Sequence, residues 1–446
     1  MHNTELPDAA KTDERFHRNY IWFLLITLAA GSEAFAINTG PLSIYPYRLA
    51  VMSGMLFYTV LLLKNKGPVK IDFSFVLPVV IVFMIVYGGI HSFWVEYKSA
   101  AVKELGNLIF GFAFVFSFQQ ACKQLKAPLE FLLQIFYWPL GFILAFSFFE
   151  IATKSHLPSA YATEILNTDP THFVRLSPSA TFGNPNHLGI FLVLSFFILY
   201  SQIIHRIHLQ KALIFLIPVL IVLWFTLSRF GLMAVLLPVL YLPFHFKNEI
   251  KHSLKNQKRN WLGVGFLILG TGLIVLFHRG FTGGIFAARG DGSETPVVDP
   301  LAKSSLAVRT NMLKNGWEIT KQSNFLGVGP GQFSELMKYQ PQKFETFGYT
   351  DPHSGAVEII SQYGILCFLL WIFWSVGVLF ICIKGLKTDP AYWLTPLFMT
   401  IAFIPVSAAN SSFLASPLTW AYVGILHILV TPKLRFSPSR EGKPIR

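Results

Sequence analysis

The chain is 446 residues long, with 53% apolar or aromatic residues, only 13% charged ones and 44 phenylalanines. A soluble domain carries roughly 25% charged residues, so an ordinary cytosolic enzyme, a coiled coil and a disordered chain are excluded, and a polytopic membrane protein is indicated. The net charge of +13 would suggest nucleic acid on a soluble protein, but in a membrane chain the place of each charge matters more than the sum.

Apolar runs of near-spanning length, about 20 residues, fall in chain order at 20–38, 46–63, 74–92, 105–121, 131–152, 187–204, 211–227, 230–246, 261–277, 357–383, 391–407 and 414–431. Lipid does not tolerate bare backbone polar groups, so each run is expected as a helix. The fold class is therefore all-α, a polytopic membrane protein with about 12 transmembrane helices. The fourth run is flanked by Lys103 and Glu104, and the eleventh is interrupted by Pro396 and Pro405. Ala34-Phe35-Ala36 after the first run resembles a signal-peptide cleavage site, but eleven further spans favour a retained first helix.

Lysines and arginines set the orientation. With the N-terminus inside, 22 of the 36 lie on the inner side, among them Lys11, Arg15 and Arg18, the cluster from Lys247 to Arg259, and the tail from Lys433 to Arg446. Eight of the other 14 fall in one long outer segment, and long translocated segments are exempt from the positive-inside rule. Both termini are thus expected in the cytoplasm. Residues 1–277 hold the first nine spans with an outer segment at 153–186, 278–355 form a large extracytoplasmic loop, and 356–446 hold the last three spans and a basic cytoplasmic tail. The loop opens on a glycine-rich stretch (Gly280, Gly283, Gly284, Gly290, Gly292) and turns helical from Ser304, with Leu306, Leu313 and Trp317 at helical spacing. No internal repeat supports an inverted-repeat transporter.

Three outer residues carry chemical interest. Arg309 sits three residues after Leu306 and four before Leu313, on the apolar face of the loop helix, so it is expected to point toward protein or a bound anion. An ion pair or a side chain snorkelling to headgroups is the plain alternative. Arg229 occupies a tight outer turn between two spans, where a lone arginine runs against the positive-inside tendency; contact with a lipid phosphate would also explain it. His353 follows Pro352 just before the tenth span; it can be neutral near pH 7 and accept a proton, or simply cap and pack. Asn184-Pro185-Asn186 caps the sixth span or contacts substrate. His205 and His208 have ligand spacing but no carboxylate nearby, and Gly327-Val328-Gly329-Pro330-Gly331 lacks the ending of a nucleotide loop. The cysteines, Cys122, Cys367 and Cys382, have no metal or disulfide pattern.

Outer arginines with one histidine, and neither a metal cluster nor a nucleotide motif, suit glycan transfer from a polyprenyl pyrophosphate. Cations hold the departing pyrophosphate as its charge grows, and a histidine takes the proton of the acceptor hydroxyl.

Four segments in order then resemble the bacterial O-antigen ligase and polysaccharide polymerase family: Arg175 to Gly189, Leu227 to Gly231, Arg309 to Phe333, and His353-Ser354 followed after nine residues by Gly364. Cys367 stands where that pattern has Gly, Thr or Tyr, a departure expected to touch helix packing more than chemistry. The resemblance implies a metal-independent, inverting glycosyltransferase of the bacterial cell membrane, without cofactor. His353 would be the base, with Arg229 and Arg309 on the donor pyrophosphate. Arg175, Asn184 and Asn186 would contact substrate, while Arg48 has only its outer position to suggest a role. The implied partners are an undecaprenyl-pyrophosphate-linked glycan, an acceptor glycan or lipid, membrane lipids and other polysaccharide-assembly proteins, with no nucleic acid. A polymerase of O-antigen, capsule or teichuronic-acid type is preferred. A ligase to lipid A core, a 12-span transporter or flippase, and a non-enzymatic scaffold remain open.

Overall fold

A computed structural model describes residues 8–31, 36–38, 43–64, 73–157, 177–246 and 305–431. The ninth expected span (261–277), the glycine-rich stretch, the basic tail, Ala34-Phe35 and Arg175 lie outside the described residues. The helices in order are α1 (Asp8–Ala29), α2 (Pro46–Lys64), α3 (Val76–His91), α4 (Lys98–Lys123), α5 (Pro128–Ile135), α6 (Tyr137–Thr153), α7 (Pro185–His205), α8 (Leu209–Phe225), α9 (Arg229–His245), α10 (Ser305–Gln322), α11 (Gln332–Tyr339), α12 (Gly355–Leu386), α13 (Pro390–Ala409) and α14 (Pro417–Val430). A two-residue antiparallel ribbon pairs Ile37 with Ile44 ahead of α2.

Among the described residues, seven helical segments are long and apolar enough to cross a membrane: Pro46–Lys64, Phe73–His91, Lys98–Lys123, Pro128–Thr153, Pro185–His205, Gly355–Leu386 and Pro390–Ala409. Leu209–Phe225, Arg229–His245 and Pro417–Val430 are apolar but shorter; at about 1.5 Å per residue, the 17 residues of the first two and the 14 of the third fall short of a core of about 30 Å. The outside of the bundle is itself apolar. Along α12, Leu366, Leu369, Phe373, Val376, Phe380 and Ile383 are all half exposed or more, at alternating spacings of three and four that draw one stripe down the helix. A stripe of that length facing water would be an aggregation surface; facing lipid it is at rest.

Packing centres on α7, which is almost wholly buried and touches α8, α9, α13 and α14. The helices alternate in direction. At one end Gln119 Nε2 donates to the Ser74 carbonyl at 2.9 Å and His427 Nε2 lies 3.1 Å from the same oxygen, joining the start of α3 to the ends of α4 and α14. At the other end the Tyr87 hydroxyl donates to the Leu326 carbonyl at 2.7 Å and the Tyr97 amide donates to Gln332 Oε1 at 3.0 Å. The segments at this second end, 93–97, 226–230, 323–354 and 410–416, are those that alternation from the N-terminus assigns to one side.

Several boundaries differ from the sequence expectation, each for a local reason. The first helix begins at Asp8 rather than near residue 20 and ends at Ala29, where Gly31 takes φ +77° and packs so tightly on the Thr181 carbonyl that a side chain would overlap it. The fourth run is helical from Lys98, which places Lys103 and Glu104 inside the helix. The fifth run is two helices meeting at Phe136, because Pro139 cannot donate to the carbonyl of Ile135. The tenth run is interrupted at Gly364, with φ 78° and ψ 177°. The face of α10 is also corrected: Leu313 and Trp317 are nearly half exposed, and Val308, Met312, Ile319 and the small Gly316 face the protein.

Candidate functional site

His353 lies in the extended segment that leads into α12, with a left-handed φ of 47°. Non-glycine residues rarely hold that conformation without external support, and here its amide donates to the Ser411 carbonyl at 3.0 Å while Pro352 before it is buried. The imidazole Nδ1 is buried and has no hydrogen-bond partner. Burial, and after it the Arg309 charge, push the imidazole below its ordinary pKa; Asp351 and the Asn410 carbonyl oppose them with smaller effect. A neutral ring with an unengaged nitrogen is the state a general base needs.

The Arg309 guanidinium reaches from α10 to the end of α13. Its Nη1 donates to the Ala408 carbonyl at 2.5 Å, and its Cζ stands 4.5 Å above the Phe230 ring. Phe230 is the second residue of α9; the first is the exposed Arg229. Turn geometry places Arg229 there, since Leu227 takes φ 56° and Ser228 caps α9 by accepting from the Gly231 amide. Burial, then the Arg229 charge, work against the Arg309 cation; a guanidinium stays charged all the same. Among the described residues neither arginine has a carboxylate partner. Two guanidiniums without a described carboxylate partner, beside the positive end of a helix, could hold an anion.

Chain segments far apart are tied together at this point by one carboxylate. Glu358, in the first turn of α12, accepts from Ser412 Oγ at 2.6 Å and from the Phe413 and Leu414 amides at 2.5 and 3.4 Å. It thereby fixes the α13–α14 turn, whose Ser411 carbonyl holds His353 and whose approach at Ala408 holds Arg309. The interruption of α12 at Gly364 does similar work for the glycine-rich turn before α11. It releases the Ser361 and Gln362 carbonyls to accept from Val328 and Gly329 at 2.8 and 2.9 Å, and the Ile365 amide donates to Phe325 at 2.9 Å. A Cβ at Gly364 would lie 2.5 Å from the Leu326 carbonyl oxygen.

The structure therefore brings His353, Arg309 and Arg229 together. Arg175 is outside the described residues, so its place relative to them is not defined. Asn184 is the N-cap of α7, its Oδ1 accepting from the Asn186 amide at 2.8 Å. Asn186 stands one turn before Gly189, whose missing side chain lets Ser228 approach, so this end of α7 borders the Arg229 turn. Arg48 is internal: it donates to Asn107 Oδ1 at 2.6 Å and lies between the Tyr45 and Phe110 rings. Among the described residues no three His, Cys, Asp or Glu side chains converge as a metal site would require. Glu358, Asn410 and Ser411 are the residues that sequence reasoning missed, and only the His353-Ser354 to Gly364 spacing pointed to their neighbourhood.

Residues 212–372 match the family described as O-antigen ligase. The chain is also 22% identical over 375 residues to the teichuronic acid biosynthesis protein TuaE of Bacillus subtilis (strain 168), covering 82% of this chain and 73% of the relative. No solved structure matches.

Proposed function

Starting from the chain's identity as an O-antigen ligase-related membrane protein of cell-envelope polysaccharide biosynthesis, we propose that it transfers a glycan from an undecaprenyl-pyrophosphate donor to an acceptor hydroxyl at the outer membrane face, as a polysaccharide polymerase. The reading is carried by the guanidiniums of Arg229 and Arg309, which have no carboxylate partner among the described residues, beside a histidine whose Nδ1 is unpartnered. In the reaction, Nδ1 of neutral His353 takes the proton of the acceptor hydroxyl as that oxygen attacks the anomeric carbon. The bond from that carbon to the pyrophosphate oxygen breaks, and its electron pair leaves on the pyrophosphate. Arg229 and Arg309 offset the charge gathering there, work that needs neither a metal nor a protonated leaving group. A single displacement inverts the anomeric centre.

The same reading gives the chain 12 spans, the ninth within 261–277, and places both termini in the cytoplasm of a bacterial cell. A polymerase is preferred because nothing in the sequence demands a core-lipid acceptor. A ligase would share the chemistry and differ in acceptor, and the family description keeps it as the second reading. To test the proposal, Arg309→Ala and Arg229→Ala variants are expressed at matched membrane levels and lipid-linked intermediates are profiled. Accumulation of single lipid-linked repeat units supports a polymerase. Complete but unattached polymer moves the assignment to ligase, and a normal profile removes the arginines from the mechanism.

A further inference from the structure

A cavity borders the segment that carries His353. It encloses about 580 Å³, within the range of roughly 300–1,000 Å³ typical of small-ligand sites. Its floor is made of Glu104, Asn107, Glu358 and Gln362, all more than nine-tenths buried. Tyr97, stacked on Tyr339 with ring centroids 5.5 Å apart, and the exposed Lys103 stand at its rim. Pro352 and Ser412 also line it. They belong to the same two segments, 351–354 and 410–412, that join through the His353 amide and the Ser411 carbonyl. The cavity is therefore bordered by the same two segments that hold His353.

The floor is organised but incomplete. Arg48 orients Asn107 by donating to its Oδ1, Asn107 in turn hydrogen-bonds to Glu104, and Glu104 meets Glu358. Glu104 Oε1 is buried without a hydrogen-bond partner, a costly condition unless something that enters the cavity satisfies it. Carboxyls, side-chain amides and a lysine around one space offer both acceptors and donors, with an aromatic face at the mouth. Adjacent hydroxyls of a sugar ring donate and accept together, and its C–H face packs on a tyrosine. An anionic pyrophosphate suits this space poorly, since Glu335 and Asp351 also line it. A bare cation suits it little better, because Lys98 and Lys103 line it too.

We propose that this cavity is the subsite for the acceptor sugar, binding a hydroxyl-rich sugar ring through Glu104 and Asn107 and delivering its hydroxyl past Pro352 to His353. The proposal rests on the reading of His353 as base. It gives the donor and the acceptor different partners: the pyrophosphate goes to the arginines, the acceptor hydroxyls to the hydrogen-bonding floor of the cavity.

The test separates binding from transfer. The full chain is reconstituted in nanodiscs and titrated with oligosaccharides released by mild acid from the envelope polysaccharide of the cells that express it, and separately with farnesyl pyrophosphate. Glu104→Gln removes an acceptor with little change of shape; Ser99→Trp, at an exposed residue lining the cavity, fills the entrance. Both are expected to weaken oligosaccharide binding about tenfold or more and to leave farnesyl pyrophosphate binding unchanged. His353→Ala should bind both probes and transfer nothing. Wild-type protein that binds no oligosaccharide, or variants that bind it as wild type does, overturn the acceptor subsite. Transfer by His353→Ala instead overturns the assignment of the base, whichever way the cavity variants behave.

Discussion

Replacing Arg309 tests two of its consequences at once. One nitrogen of the guanidinium is already engaged with the Ala408 carbonyl at 2.5 Å, and its face rests 4.5 Å over Phe230. Only part of its donor fork is left for substrate. Removing one donor from an oxyanion site costs about 10²–10³ in rate, and the partial engagement of Arg309 places it at the lower end. Arg309→Ala is therefore expected to lower kcat/KM about 100-fold, or about 2.7 kcal/mol. Arg309→Lys keeps the charge without the planar fork and should lose about tenfold. The second consequence concerns pH. Burial first and Arg309 second hold the His353 imidazole below its ordinary pKa, and the base works only when deprotonated. Deleting the charge lets the pKa rise, so the acid limb of the pH–rate profile moves to higher pH in Arg309→Ala and stays in place in Arg309→Lys. Initial rates are measured with a lipid-linked donor in proteoliposomes between about pH 5 and pH 9, a range that spans the histidine titration. An acid limb in Arg309→Ala that stays at the wild-type position, or moves lower, refutes the coupling between the two residues.

Three further substitutions probe the scaffold. Glu358→Ala leaves the Phe413 and Leu414 amides without their acceptor, at about 1–3 kcal/mol for each buried group; a lower melting temperature in detergent and a large loss of transfer are expected, and wild-type melting would show that the turn is held otherwise. Gly364→Ala drives a methyl into the Leu326 carbonyl at a residue whose φ 78° and ψ 177° are open essentially to glycine alone, so it should destabilise by more than the roughly 1–3 kcal/mol of backbone strain alone, seen as faster proteolysis near residue 326. Asn184→Ala removes the α7 cap and should cost about 1 kcal/mol of stability with kcat kept; a tenfold fall in kcat at normal melting would instead make Asn184 a substrate contact.

How far the sequence could be read depended on how each residue announces itself. Arg229, Arg309 and His353 stood out because charge is rare in this chain, and their convergence needed only the order of the elements to be sensible. Glu104 and Glu358 are ionisable too, but each sits near the start of an apolar helix, where a carboxyl reads as a boundary mark. Only the turn folding back from α13 gives Glu358 its hydrogen-bond donors. Gly364 lay inside an apolar run, and nothing local foretold an interruption completed by amides and carbonyls from 325–329. The face of α10 was misjudged because apolar periodicity identifies the face that avoids water without saying what covers it; Leu313 and Trp317 are left exposed while Val308 and Met312 pack inward. The long runs were plainer, since backbone in lipid has few choices besides the helix.

The most direct test of the central claim is single-turnover transfer by purified His353→Ala in proteoliposomes loaded with lipid-linked donor and acceptor. The account predicts a rate lower by about 10²–10⁴, the range for loss of a general base, with binding of farnesyl pyrophosphate undiminished. Transfer at the wild-type rate, with folding and donor binding intact, would contradict it.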